Sequence, residues 1–291
     1  MPYDPTHTTG IRLAFVRDVN RRFRALKKKI KAFVVDEDCF GFGAPKLMAG
    51  FSFVTDLEKI NRFIEWLIEQ EEAGVLELVY RGGRLSPTPW SNLYVESAYR
   101  KGIQRAQSEL KKIGYQPPVP LDMAFSMPVH IDRLEMLFTR TFEDLKTVMS
   151  VTNRELRNLL TDTLSERLAQ GIAEGKNPNV VAAELVSDLN GRIDAVGITR
   201  ARMIARTETI RAHHQATIEE YLQASAEMEV EIQAELSTAG DSGVCAQCAA
   251  LAAGGPYTLA EIRPMIPVHP HCRCIAIPAA ESVNVLKRGA A

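Results

Sequence analysis

The stretches VCAQC, at residues 244–248, and HPHCRC, at residues 269–274, decide how the C-terminal part of this chain folds. Together they hold four of the five cysteines and two of the six histidines among the 291 residues. The two thiolates of a CxxC turn can face one tetrahedral metal ion, and a distant second pair of ligands can complete its coordination. We therefore predict that the two stretches meet in one small Cys/His-containing domain.

Several side chains in these stretches are candidate metal ligands. We predict a structural zinc site, because zinc is the usual ion of soft, redox-inert sites. The predicted ligands are Cys245, Cys248, His269 and Cys272, with Cys274 or His271 as substitutes. Two alternatives stay open: cysteines that pack as small apolar groups, and thiol or catalytic metal chemistry. A nucleobase deaminase is excluded, since the His-x-Glu motif of that class is missing.

Composition limits the class of protein. With 46% apolar residues and a net charge of -1, the chain has enough material for one large or two modest domains. Neither an N-terminal signal nor a run of about eighteen apolar residues is found. We therefore expect a cytoplasmic protein without a membrane partner. In that compartment closely spaced cysteines indicate metal or redox chemistry more than disulfides.

Residues 11–31, here called the basic arm, carry nine Lys or Arg and one Asp. Apolar residues recur in the arm at steps of three and four, which predicts a helix with one buried face. The basic face can meet nucleic acid, an acidic partner or the acidic segment 219–235 of the same chain, or it can simply be solvated. The candidate DNA- or partner-binding residues are Arg17, Arg21, Arg22, Arg24, Lys27, Lys28, Lys29 and Lys31.

The remaining patterns predict a mainly α fold, with helical N-terminal and central regions and a small α+β C-terminal domain. A proline-bearing segment at 115–122 is the expected linker, and alternation at 228–237 predicts a half-buried strand. We expect an N-terminal helical region with the basic arm at 1–120, a central helical region at 121–226, and a Cys/His knuckle domain with short strands at 227–291.

Capping residues predict four successive helices after the linker. Thr152 followed by Glu155 has the pattern of a capping box, which predicts the start of the second helix. Asn177 followed by Pro178 is typical of a helix start and predicts the third. The fourth helix is predicted to begin near Thr199.

The fourth helix contains a polar concentration, ARTETIRAHH, at residues 205–214. His214 shares a face with apolar residues one turn away on either side, which indicates a hydrogen-bonded core histidine. Glu208 and Arg211 are one turn apart and are expected to pair at the surface. An enzyme acting on nucleic acid or a nucleotide would instead need Arg206 and Glu208 to converge with His269 and His271. No other catalytic motif is found in the sequence.

Three stretches in a fixed order resemble the phage Mu F-like minor head proteins, also called phage head morphogenesis proteins. They are ARTETIRAHHQAT at 205–217, GDSGVCAQCAAL at 240–251 and IPVHPHCRCIAIP at 266–278. The order of RTE, then D-x-x-V-C-x-x-C, then H-P-x-C-R-C is specific. The resemblance covers roughly residues 150–278.

The resemblance implies a bacteriophage minor capsid protein, present in few copies at the portal vertex and active in procapsid assembly rather than in catalysis. The partners implied are the portal protein, with the scaffold, the major capsid protein and packaged DNA as further ones. The implied location is the virion near the portal vertex, and the host cytoplasm during assembly. We accordingly expect no enzymatic activity.

Overall fold

The structure is a computed structural model, and it describes residues 4–43, 56–80 and 86–279. Helices dominate it, as the sequence predicts. They are α1 (Thr9–Lys31), α2 (Asp56–Glu72), α3 (Asn92–Lys112), α4 (Leu121–Phe125), α5 (Pro128–Ala173), α6 (Pro178–Arg192), α7 (Thr199–Met228), α8 (Ala246–Ala253) and α9 (Leu259–Ile262). Short π-helical segments follow α1 and α6, at Ala32–Asp36 and Ile193–Ile198.

The strands are short and antiparallel. Between α2 and α3, β1 (Leu78–Val79) pairs with β2 (Thr88–Pro89). Near the C-terminal end, β3 (Gln233–Ser237), β4 (Tyr257–Thr258) and β5 (Ile275–Pro278) form a sheet of order β4-β3-β5. Leu236 of β3 lies opposite Ala276 of β5. The mainly α class with a small α+β C-terminal part is confirmed.

Two compact units make up the chain, and each is assembled from separate segments. Unit 1 comprises Met1–Val16, Ser91–Thr141 and Met203–Ala291, and unit 2 comprises Arg17–Trp90 and Phe142–Arg202. Helices α1, α5 and α7 each contribute residues to both units. The contiguous division at residues 120 and 226 stays a prediction.

Unit 1 contains two hydrophobic clusters. In the first, Leu110 of α3 and Tyr221 of α7 pack with the sheet and with the buried cysteines. In the second, Tyr99 of α3 and Leu134 of α5 pack around Ala212 of α7. A Cβ on Gly102 of α3 would lie 2.2 Å from the His213 carbonyl oxygen of α7. Only a glycine therefore permits this approach of α3 to α7.

Unit 2 is held by helix faces and by aromatic contacts. The apolar stripe predicted for the basic arm is confirmed, since Val19, Phe23, Leu26 and Ile30 are all buried. Phe33, just after α1, stacks on Trp66 of α2 with ring centroids 4.2 Å apart. Burial of these large side chains is the main stabilising contribution expected in such a helical unit.

The helix starts test the capping predictions. Asn177 caps α6 as predicted, since its side-chain oxygen accepts a hydrogen bond from Asn179 N at 2.9 Å. The predicted break at Thr152 is wrong, because α5 continues through it. The Thr152 hydroxyl donates to the Val148 carbonyl at 2.7 Å, which satisfies it inside the helix. The strand predicted at 228–237 forms only from Gln233 onward.

Among the described residues, no helix combines the length and the apolar character needed to cross a bilayer.

Candidate metal centre

The CxxC stretch stands at the start of α8, where helix capping fixes its geometry. Cys245 is the N-cap residue of α8, and its Sγ accepts a hydrogen bond from the Cys248 backbone N–H at 3.3 Å. A sulfur at this position turns inward over the first helical turn, toward the side chain of Cys248. The two thiols, three residues apart on the first helical turn, therefore face the same point.

His269 faces the same point from the second stretch. Its Nε2 lies 3.3 Å from Cys245 Sγ and 3.3 Å from Cys248 Sγ. A tetrahedral zinc ion, with Zn–S of about 2.3 Å and Zn–N of about 2.0–2.1 Å, imposes a sulfur-to-nitrogen separation of about 3.6 Å. These three ligand atoms therefore stand close to the arrangement that one ion requires.

The His269 ring is also held in the tautomer that a metal needs. Its Nδ1–H donates to the Pro270 carbonyl oxygen at 2.6 Å, so the lone pair of a neutral ring lies on Nε2. Zinc-bound histidines almost always donate their other nitrogen in this way, which fixes the orientation of the ring. The structure thus supplies both the ligand and the group that orients it.

Cys272 and Cys274 complete the cluster just before β5. They form a second triple with Cys248, and in each triple the ligand atoms lie within 4.8 Å of one another. Cys248 belongs to both triples, and Cys248, Cys272 and Cys274 are all buried. The two triples thus meet at Cys248, and their thiol and imidazole donors are of the kinds that zinc prefers.

The structure divides the predicted ligands between the two triples, and it places one substitute, Cys274, in the second triple and the other, His271, elsewhere. Cys245, Cys248 and His269 form one triple, and Cys272 lies with Cys274 in the second triple around Cys248, so the four-ligand set stays a prediction. His271 turns away, and its Nδ1 lies 3.1 Å from Nη1 of Arg206. With four such ligands a zinc ion has no open position for water or substrate, so it would brace the fold.

The thiols differ in acidity because each has different neighbours. The Cys248 backbone N–H lowers the pKa of Cys245, and burial raises the pKa of Cys248 to about 12. The hydrogen bond between Cys272 and Cys274 lowers the pKa of Cys272 to about 5 and raises the pKa of Cys274. Cys245 and Cys272 are thus the thiols best prepared to be thiolate ligands.

Two contacts outside the cluster hold the second stretch in place. Arg273, between the two cysteines, makes a bidentate ion pair with Asp241 at 2.6 Å for both hydrogen bonds. Asp241 precedes the CxxC stretch by a few residues, so this pair ties the two stretches together. His271 has a positive φ of 67°, and it reaches Arg206 of α7 from that turn. Over residues 271–274, the side chains thus alternate between these two partners, met by His271 and Arg273, and the cluster, met by Cys272 and Cys274.

Three further polar residues of α7, His214, Glu208 and Arg206, make contacts within the fold. His214 is a buried core histidine as predicted, with Nε2 3.1 Å from the Ile262 carbonyl oxygen. Glu208 pairs with Arg211 at 3.0 Å as predicted, and it also faces Arg140 at 3.6 Å. The expected surface location is wrong, because Glu208 is only 3% exposed. Arg206 meets His271, whereas the Glu208 carboxylate is engaged by two arginines.

A buried charged network in unit 1 was missed by sequence reasoning. Glu219 of α7 pairs with Arg133 at 2.8 Å and with Arg263 at 3.0 Å. Beside this network, Oε1 of the neighbouring Glu220 lies 3.1 Å from Nε2 of His130. Glu219, in the acidic segment 219–235, is therefore paired within unit 1 and not with the basic arm. Helical spacing alone gives no signal for this network, because its partners are distant in sequence.

The basic arm presents some of its charges and uses others internally. Arg22 lies 4.3 Å from the Trp90 ring centre and pairs with Glu77 at 2.7 Å. Lys27 pairs with Asp194 at 2.8 Å. The remaining candidates are exposed side chains: Arg17, Arg21, Arg24, Lys28, Lys29 and Lys31. Of these, Arg21 pairs with Asp18 on the arm itself, and Lys29 bonds to Gln70.

Comparison with known proteins gives one finding. Residues 162–277 match the family model described as Phage Mu protein F like protein. Comparisons with curated proteins and with solved structures give no match. The matched segment contains all five donors of the cluster and both residues, Arg206 and Asp241, that hold the second stretch in place. The resemblance drawn from the motifs is confirmed over this segment: residues 162–277 match the Phage Mu protein F-like family.

Proposed function

We propose that the chain is a minor capsid protein that acts in head morphogenesis at the portal vertex of a tailed bacteriophage. The Phage Mu F-like family indicates a phage head morphogenesis protein. The proposal adds the location at the portal, a non-catalytic role, and a zinc ion that stabilises unit 1. Its location is then the virion, after assembly in the host cytoplasm.

One observation carries the structural role. The family motifs, which are far apart in sequence, meet at a single knuckle, where Arg206 contacts His271 and Asp241 pairs with Arg273. Each of these polar residues holds the ligand-bearing turn, and the buried carboxylate of Glu208 pairs with Arg211. Such an arrangement supports a braced scaffold for partner binding, because its polar groups are engaged with one another.

The proposed zinc ion would be held by Cys245, Cys248 and His269 together with Cys272 or Cys274. When bound, it contributes cross-linking between α8 and the turn before β5, without redox chemistry. In the chain, the Pro270 carbonyl orients His269, and the Asp241–Arg273 pair keeps Cys272 and Cys274 against Cys248. The ion would thus replace part of the apolar core that so small a sheet cannot supply.

The basic arm is the proposed contact for the portal protein or for packaged DNA. Arg17, Arg24, Lys28 and Lys31 follow one another at steps of seven, four and three residues, so they share a helix face. Among the described residues, none of these four has an ion pair. Exposed like charges along one face favour an acidic partner surface or phosphates.

Native mass spectrometry of the chain co-expressed with the portal protein of the same genome tests this function. We expect a complex with the portal protein and one zinc mass per chain. The matched comparison is the same spectrum after Cys245→Ser and Cys248→Ser, which should lose the zinc mass. A chain that shows neither the portal complex nor the metal would contradict the proposal.

Particle assembly tests the arm separately. Changing Arg17, Arg24, Lys28 and Lys31 to Gln should lower the yield of infectious particles at least about tenfold, because the contact face loses four charges. A control with four exposed bases changed elsewhere, Lys146, Arg154, Arg192 and Arg200 to Gln, should leave the yield near wild type. Equal yields from the two variants would remove the arm from the proposal.

A further inference from the structure

Helix α3 carries a second basic face, which the family resemblance did not draw attention to. Lys101, Gln104, Ser108, Lys111 and Lys112 are exposed on α3, and Arg105 is half-buried beside them. Their spacing places them along the outer side of the helix, opposite the side that packs on α7 at Gly102. The face belongs wholly to unit 1.

The charges on this face are not balanced by acids. Glu109 serves both Arg105, at 3.0 Å, and Lys112, at 2.8 Å. Within the described ranges, Lys101 and Lys111 have no acidic partner. Four bases therefore share one carboxylate, and the excess positive charge favours a polyanionic ligand.

Two grooves flank the face and are lined with hydrogen-bonding groups. One, of about 540 Å³, lies beside Thr6 and His7 of the N-terminal segment. The other, of about 630 Å³, lies between α3 and the prolines at 117, 118 and 120. Gln104 and Ser108 line both grooves, so the two grooves run along the two sides of a single ridge.

A buried amide points to a ligand in the second groove. Gln107 lines this groove and is only 8% exposed. Its Nε2 group has no hydrogen-bond partner in the part of the chain that the structure describes. A buried polar group without a partner costs about 1–3 kcal/mol, so such groups usually meet water or a ligand.

We propose that the outer face of α3 binds the phosphodiester backbone of nucleic acid. Lys and Arg side chains together with Ser and Gln are the groups that contact phosphate oxygens in protein–DNA complexes. Lys101 to Lys112 spans about 16 Å of helix, the axial length of about five base pairs. A protein partner fits less well, because the cores of protein interfaces are depleted of charge and enriched in aromatic residues. This face is separate from the basic arm, for which a contact with the portal protein or with packaged DNA is proposed above.

Fluorescence anisotropy with the full chain and a labelled DNA duplex of about 20 base pairs tests the proposal. Changing Lys101, Lys111 and Lys112 to Gln should weaken binding at least about tenfold at low salt. The slope of log K against log salt should fall by up to about 3, since each lost phosphate contact contributes about 0.9. The matched control changes Arg154, Arg192 and Arg200 to Gln, which removes the same charge elsewhere and should preserve both values.

The variant Gln107→Leu separates a built site from general attraction. It removes a neutral donor, so we expect binding to weaken about two- to fivefold with an unchanged salt slope. Circular dichroism would verify that each variant retains its helical content.

Four results would overturn the proposal. They are absence of DNA binding by the wild-type chain, wild-type binding by the triple Gln variant, equal loss in the Arg control, and displacement of DNA by poly-glutamate at equal charge concentration. The last result would assign the face to polyanions in general. Because the assay contains no portal protein, its failure would leave the portal contact of the proposed function untouched.

Discussion

The two units place their ionisable residues differently. Unit 1 buries two neutral histidines, His213 and His214, beside a network of paired glutamates and the Cys/His cluster. Among its described residues, unit 2 buries one carboxyl, Glu71, which is 2% exposed and accepts a hydrogen bond from Asn153 Nδ2 at 2.8 Å. Burial lowers the pKa of His213 to about 3 and of His214 to about 4, whereas it raises the pKa of Glu71 to about 8.

This difference teaches that one chain can have two opposite pH responses. A buried histidine with a lowered pKa loses stability as pH falls, since only the unfolded chain takes up the proton. A buried carboxyl with a raised pKa loses stability as pH rises, since only the unfolded chain releases the proton. Hydrogen exchange followed by mass spectrometry can measure each unit separately, and the expected outcomes follow from the largest effect to the smallest.

Removing the metal ligands should give the largest asymmetry. Changing Cys245 and Cys248 to Ser should destabilise unit 1 by about 5 kcal/mol and leave unit 2 unchanged, because a structural metal site contributes directly to folding. Zinc content and exchange rates would measure this. Cys39→Ser in unit 2 is the control. Unchanged exchange in unit 1 would show that the cysteines act only through packing.

A single methyl group at Gly102 should also act on unit 1 alone. The Cβ of Gly102→Ala would lie 2.2 Å from the His213 carbonyl oxygen, so α3 and α7 must separate. We expect a loss of about 3 kcal/mol in the unfolding free energy of unit 1, measured by exchange of α7 amides. Gly10→Ala, where a Cβ meets nothing within 4 Å, should have no such effect. A neutral Gly102→Ala would contradict the close approach of these two helices.

The variant Glu71→Gln should stabilise unit 2 at neutral pH. Glu71 stays protonated in the folded unit up to about pH 8, while the unfolded chain ionises near 4.5. The wild-type unit therefore loses stability between about pH 4.5 and 8, and Gln removes this loss. We expect a gain of about 2 kcal/mol at pH 7 and a flat profile across that range. If the stability of the Glu71→Gln variant still declined as pH rises, another group would be the cause of the decline.

The variant His214→Gln should give the smallest effect, visible only in mild acid. The unfolded chain takes up a proton near pH 6.5, but folded His214 does not until about pH 4, so the wild type loses stability as pH falls from 6.5 to 4. Gln retains a donor for the Ile262 carbonyl oxygen and cannot titrate. Between pH 7 and pH 5.5, we expect the unfolding free energy of unit 1 to fall by about 1 kcal/mol less in His214→Gln than in the wild type. Equal acid loss in the two proteins would remove His214 as the source.

The features that sequence predicted are those with local patterns. The stripe on α1, the cap at Asn177 and the gathering of CxxC with HPHCRC all depend on residues close together or on a ligand geometry that zinc imposes. The break at Thr152 was wrong, because a threonine hydroxyl can bond inside a helix as well as cap one. The pattern at residue 152 fits both outcomes, and packing of the surrounding apolar residues favours the continuous helix.

The features that sequence missed depend on distant partners. The burial of Glu219 requires Arg133 and Arg263, which no spacing rule connects to it. The partner of Arg206 is likewise 65 positions away at His271. The sequence shows the RTE and HPHCRC motifs, but it does not show that they lie close together in space. Only the folded chain shows this contact.

The interleaved order of the two units has a consequence for dissecting this protein. The segment that matches the family, residues 162–277, begins within α5 in unit 2 and ends in the sheet of unit 1. It lacks α3, which supplies Leu110 to the hydrophobic cluster around the cysteines. A fragment cut at the family boundaries would therefore expose the core side of α7 to water and should aggregate. The segment that matches the family and the compact units of the fold therefore have different boundaries in this chain. Deletion variants should follow the boundaries of the compact units.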